Sequence, residues 1–164
     1  TIVSRPENPV LTKFIPEGAI RVPLDTPAQD AATKQAVIAE LVDLLPQAVD
    51  ANERDAILQA VLHRESQMST GIGDGIAIPH GSADIEPLLM VSAGVAPHPG
   101  VEFNAIDKQP ARLFFLLVAR KGERTPHLQA LAHIARLMKN PATRQDLLDA
   151  PDPETFRQIL AAAE

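Results

Sequence analysis

A chain of 164 residues, 45% hydrophobic and 22% charged, has room for one full core and the composition of a globular domain, which excludes disorder and collagen-like structure. Its longest fully apolar run, Leu113–Ala119, is seven residues against the roughly 20 of a membrane span, and no basic segment followed by an apolar one marks a signal peptide. A net charge of −6, five Phe without Tyr or Trp, and no cysteine argue against nucleic-acid binding and remove disulfides, thiolate metal sites and cysteine nucleophiles.

Residues 1–30 carry Pro6, Pro9, Pro16, Pro23 and Pro27, too many prolines for a helix. They read as an extended lead-in with a short strand at 19–24. The start at Thr1 is compatible with a chain cut from a longer protein. Ala36, Val37, Leu41, Leu44 and Leu45 then recur at helical spacing up to Pro46. Asn52 is the expected cap of a second helix, Glu53 to Gln67, on which Ile57, Val61 and Arg64 share one line. The texture changes at 69–81, Ser-Thr-Gly-Ile-Gly-Asp-Gly-Ile-Ala-Ile-Pro-His-Gly. Gly71, Gly73 and Gly75 alternate there, and Ile76–Ile78 reads as a short strand stopped by Pro79. Residues 88–96 and 113–119 are expected as buried strands, with a long loop over 97–110. Thr125-Pro126 reads as a cap and first helical residue, followed by a stripe of Leu128, Leu131, Ala135 and Met138. Further helices fit 143–149 and 154–163. Helices framing a few strands make the class α/β, with a single core.

The five histidines are the chemistry available near pH 7. His80 closes the glycine-rich segment at a strand end, where α/β proteins place reactive groups; a surface-turn histidine is the alternative. His127, second in a helix beginning at Pro126, would meet unpaired N–H groups and a partial positive charge that keeps the ring neutral and favours an anion. A solvent-facing ring is the alternative there. Arg64 leaves the core side near the end of its helix and needs an anion, water or a structural carboxylate. His63 and His133 fall off the apolar lines and are expected to be exposed, and His98 is a loop residue. The glycine segment lacks the Gly-Lys-Ser/Thr of a P-loop, and a strand, not a helix, follows it. His80, His127 and Asp107 could hold zinc, but no spacing asks for it.

Ser69–Gly81 closely resembles the phosphorylation-site signature of the EIIA domains of the bacterial phosphoenolpyruvate:sugar phosphotransferase system, in the fructose/mannitol branch that includes the nitrogen-regulatory EIIA proteins. His63-Arg64-Glu65 resembles the Arg-Glu step before that signature. Residues 101–107 with Pro110 and the strand after it resemble a later block, and His127-Leu128 with Leu131 a second active-site histidine. The likeness runs in register from about Leu11 to Leu160. Asp74 stands where Asn is common, Lys108 where Gly is expected, and Ala119-Arg120 where a Pro-containing turn is usual.

The resemblance implies residues 1–10 as linker and 11–164 as one EIIA-type domain with a mixed sheet flanked by helices. It implies phosphoryl transfer to His80 from an HPr-like carrier, with His127 and Arg64 in the site and no cofactor or metal. Backbone N–H groups around Gly71, Gly73 and Gly75 could complete a phosphoryl cradle. Downstream, a separate EIIB would take the phosphoryl group in sugar transport, whereas in nitrogen regulation the phosphorylated state itself would be read by a transporter or kinase. The opening Gly71-Ile72-Gly73 leans to the regulatory and fructose types. A cytoplasmic location is expected, and a regulatory domain of a larger transporter is the third possibility.

Overall fold

The computed structural model describes residues 11–26 and 33–164; the expected linker over residues 1–10 lies outside them. The described strands are β1 (Ile20–Arg21), β2 (Gly71–Gly73), β3 (Ile76–Ala77), β4 (His80–Ala83), β5 (Leu89–Val95) and β6 (Leu113–Arg120), and the α-helices are α1 (Lys34–Asp43), α2 (Ala51–Gln67), α3 (Arg124–Leu137), α4 (Pro141–Leu148) and α5 (Pro153–Ala163). The strands form one mixed sheet in the order β1-β5-β6-β3-β2, with β4 also paired to β6. β5 and β6 are antiparallel from Leu89↔Ala119 to Val95↔Leu113. β1 runs parallel to β5, and β3 and β4 run parallel to β6.

Strand alternation explains the uninterrupted apolar run of β6. Leu113, Phe115, Leu117 and Ala119 pack on one face with Ile134, Phe156 and Leu160 of α3 and α5. Phe114, Leu116 and Val118 pack on the other with Val37, Leu41, Ile57 and Val61 of α1 and α2. A strand covered on both faces has no solvent side on which to place polar residues.

The same alternation carries the chain to the site. Ile76 and Ile78 belong to the α3 face and Ala77 and Ala83 to the α2 face, so the outward positions of β4, His80 and Ser82, continue the α3 side. Gly81 points the other way: a Cβ there would lie 3.1 Å from the Val61 backbone nitrogen. Glycine therefore lets β4 lie directly on α2.

Several boundaries differ from the sequence expectation. α2 begins at Ala51, capped by Asp50, whose carboxylate accepts from the Asn52 and Glu53 amides; Asn52 lies inside the first turn. α3 begins at Arg124 with no side-chain cap, which makes Pro126 the third helical residue and His127 the fourth. The buried line of α3 is Ala130, Ile134 and Met138, while Leu128 is 61% exposed and Ala135 is exposed. Small Ala130 lets the helix approach the sheet closely. α4 starts at Pro141 after an Asn140 cap, and α5 at Pro153 after an Asp152 cap.

Candidate active site

His80 opens β4 just after Pro79. Its Nδ1 lies 2.8 Å from the Ile78 carbonyl oxygen. A carbonyl can only accept, so the proton sits on Nδ1 and the lone pair on Nε2. Burial holds this imidazole below its ordinary value; the Arg64 charge acts in the same direction, and the Ile78 carbonyl and Glu65 oppose them.

His127 comes from the opposite element, the first turns of α3. The β6–α3 turn is tied to β4 by the Lys121 amide, which donates to the Ala83 carbonyl at 3.1 Å, and this brings the helix start alongside the strand. The His80 and His127 ring centroids are 4.8 Å apart with the planes tilted at 58°. Burial, then the neighbouring His80 and then Arg64, push His127 down to about 4. Its Nδ1 is buried without a hydrogen-bond partner, and a buried polar atom of that kind asks for a functional explanation.

Arg64 reaches the same place from the last turn of α2, its guanidinium donating to the Met68 carbonyl at 2.8 Å. Adjacent Glu65 is buried and ties three segments together, facing Lys34 at 3.4 Å and accepting from the Thr70 amide at 3.2 Å and from the Thr70 hydroxyl. Arg64, His80 and His127 line one groove of about 390 Å³ together with His63, Gly81 and Ser82. A second cleft, beside Glu17 and Glu154, holds no imidazole, and its Arg157 is committed to the carbonyls of Thr12, Ile15 and Pro16.

The hairpin glycines do not belong to this groove, a correction to the cradle expected of them. A Cβ on Gly71 would lie 3.0 Å from that of Ala105, and one on Gly73 3.1 Å from the Asp107 carboxylate. Gly73 and Gly75 have φ of +90° and +76°, the left-handed region that turns the tight hairpin. Close packing against residues 103–110 and turn geometry account for all three. Asp107 is engaged there, accepting from the Asp74 amide at 2.9 Å, and the described residues contain no cluster of three metal-ligating side chains.

His133 is a second correction. It is 5% exposed, with Nε2 3.0 Å from the Glu164 carboxylate and Nδ1 2.9 Å from Arg136. Both ring nitrogens are satisfied, which makes burial of an imidazole tolerable. His63 is exposed as expected. Ser82 and Gly81 were missed from the sequence; the signal available was their place directly after His80, two and one residues on.

The family model "Phosphoenolpyruvate-dependent sugar phosphotransferase system, EIIA 2" matches residues 25–163, and the chain belongs to that family. It is an EIIA-type domain. The fructose-specific EIIA component of Haloferax volcanii is 35% identical over 130 residues, 79% of this chain and 84% of that protein. A nitrogen regulatory protein of Bradyrhizobium diazoefficiens is 34% identical over 136 residues, 82% of this chain and 87% of that one. The fructose-specific EIIABC component of Bacillus subtilis is 37% identical over 133 residues, 80% of this chain and only 20% of that longer protein. Among solved structures, the nitrogen regulatory protein IIA-Ntr of Neisseria meningitidis superposes with a TM-score of 0.76 at 25% identity, covering 92% of this chain and 98% of its own. IIA mannitol of Escherichia coli gives 0.65 at 26%, covering 85% and 94%. Both sugar-type and nitrogen-regulatory relatives thus share this fold. No helix among the described residues is long and apolar enough to cross a membrane.

Proposed function

We propose that His80 is the phosphoryl acceptor of this EIIA domain. The observation that carries the reading is the pairing of His80 with a second neutral imidazole 4.8 Å away, with the His80 proton held on Nδ1 by the Ile78 carbonyl. Nε2 attacks the phosphorus of a phosphohistidine on an HPr-like donor. The N–P bond to His80 forms as the bond to the donor's ring nitrogen breaks, and the donor imidazole leaves with that electron pair. Such in-line transfer asks the protein for positioning and charge neutralisation. His127 donates a hydrogen bond to a phosphoryl oxygen, and Arg64 offsets the charge. The transferase activity is that of a carrier, turning over only with its partner proteins, and a cytoplasmic site of action follows from a phosphoenolpyruvate-fed donor.

Nitrogen or metabolic regulation is the main role proposed, the phosphorylated state being read by a transporter or kinase; the likeness to IIA-Ntr supports it. The fructose-specific relatives support a second reading, transfer to a separate EIIB. Incubation with enzyme I, an HPr-like carrier and phosphoenolpyruvate should add one acid-labile phosphate, absent from His80→Ala. Undiminished labelling of His80→Ala contradicts the assignment. Fast, sugar-dependent loss of the label to an EIIB decides for transport; a stable label with partner capture that differs between His80→Ala and His80→Asp decides for regulation.

A further inference from the structure

Resting on the reading of His80 as acceptor, we infer that Ser82 is a further phosphoryl-binding residue, its hydroxyl donating to an oxygen of the group carried on His80 Nε2. A phosphoryl group in transfer spreads its charge over three equatorial oxygens. Arg64 and His127 answer two of them, and the hairpin glycines, packed against residues 103–110, do not line the groove.

Ser82 does line it. Residues two apart on a strand face the same side about 6.6 Å apart along the chain, and β4 obeys this strictly. Gly81 abuts the backbone of α2, and Ala83 is 4% exposed in the α2-side core. His80 and Ser82 therefore share the opposite face. Ser82 also lines the neighbouring groove, which runs past His127 to Lys121 and Arg124, and a third beside α2, so it stands where these grooves adjoin. Register reinforces the placement: Ser82 pairs with Ala119 and Ala83 with Arg120, so β4 ends against the turn that launches α3. Among the described residues the Ser82 hydroxyl makes no hydrogen bond, and the Lys121 and Arg124 side chains make no ion pair. An exposed hydroxyl that makes no hydrogen bond, in the two grooves it shares with His80, His127, Arg64, Lys121 and Arg124 and with one carboxylate, Glu123, is suited to an anionic oxygen.

The test measures transfer from a phosphorylated HPr-like carrier to the wild type, Ser82→Ala and Ser82→Thr, with the thermal midpoint of each variant as a check on the fold. A hydrogen bond to a charged group predicts kcat about 10- to 100-fold lower for Ser82→Ala, with KM for the carrier unchanged and Ser82→Thr within about threefold of wild type. Hydrolysis of the phosphohistidine should also speed up in Ser82→Ala alone. Equal kcat for Ser82→Ala and wild type overturns the inference, as does a rise in KM alone or equal loss in both variants. Failure of the wild type itself to be labelled on His80 refutes the underlying reading instead, and the inference falls with it.

Discussion

His80 and His127 are both held below the ordinary imidazole value, chiefly by burial, so near pH 7 the nucleophile is unprotonated and its neighbour is neutral. A neutral His127 can still donate one hydrogen bond, and loss of one such donor to developing charge costs about 10²–10³ in rate in other enzymes; His127→Ala should slow labelling by that order without abolishing it, measured in single-turnover transfer. The rate should be level from about pH 6.5 to 8 and fall only below the unperturbed imidazole range. Stability follows the same titration. With His127 at about 4 in the fold and about 6.5 unfolded, the unfolded chain binds more protons between those values, so stability is full above pH 6.5 and is lost as pH falls toward 4. Urea midpoints at pH 7 and pH 5 should therefore differ more for wild type than for His127→Gln; equal differences would contradict this origin. His133 behaves otherwise. Removing its ring takes one partner from Arg136 and one from the Glu164 carboxylate, which keeps the Leu11 amide and the Thr12 hydroxyl, so His133→Ala should cost about 1–3 kcal/mol of stability, read from denaturant unfolding, while the folded variant transfers at close to the wild-type rate.

Element by element, what was legible in the sequence was whatever repeats. The apolar run of β6, the helical spacing of α1 and α2 and the end of α1 before Pro46 all lie where the sequence puts them. The buried face of α3 was not legible: two apolar lines are available on it, and docking against the sheet selects the one through small Ala130. Thr125-Pro126 looks like a cap and first turn, whereas the turn tied by Lys121 to Ala83 leads into a helix that begins at Arg124. The short strand β4 was invisible for want of apolar residues, although it carries the site. Its contact with α2 is testable. Gly81→Ala sets a methyl against the helix backbone, and such overpacking costs roughly 1–3 kcal/mol. It should lower the thermal midpoint and, by displacing Arg64 relative to His80, slow transfer as well; an unchanged midpoint and rate would show that α2 yields freely. Two departures from the family pattern become intelligible at this scale. Asp74 and Lys108 have φ of +57° and +60°, the conformation that Asn and Gly adopt more readily.

Across the whole molecule, the site is assembled from both sides of one sheet. α2 packs on one face and α3 on the other, and β4 is where Arg64 and His127 come within reach of the same strand residue. Sequence separates His80 from Arg64 by 16 positions and from His127 by 47, and no local pattern encodes their meeting; only the resemblance to a known family anticipated it. Conversely, the glycine segment advertised itself as a phosphate cradle, yet its glycines serve a hairpin turn and its packing. We propose that His80 Nε2 carries the phosphoryl group beside a neutral His127. The direct measurement is long-range ¹H–¹⁵N NMR of the ¹⁵N-histidine-labelled protein before and after phosphorylation, with ³¹P coupling used to find the modified nitrogen. One imidazole nitrogen, Nε2 of His80, is expected to gain phosphorus coupling while the His80 Nδ1 proton is retained and His127 shifts without coupling. Coupling at Nδ1 of His80, or at His127, would contradict it.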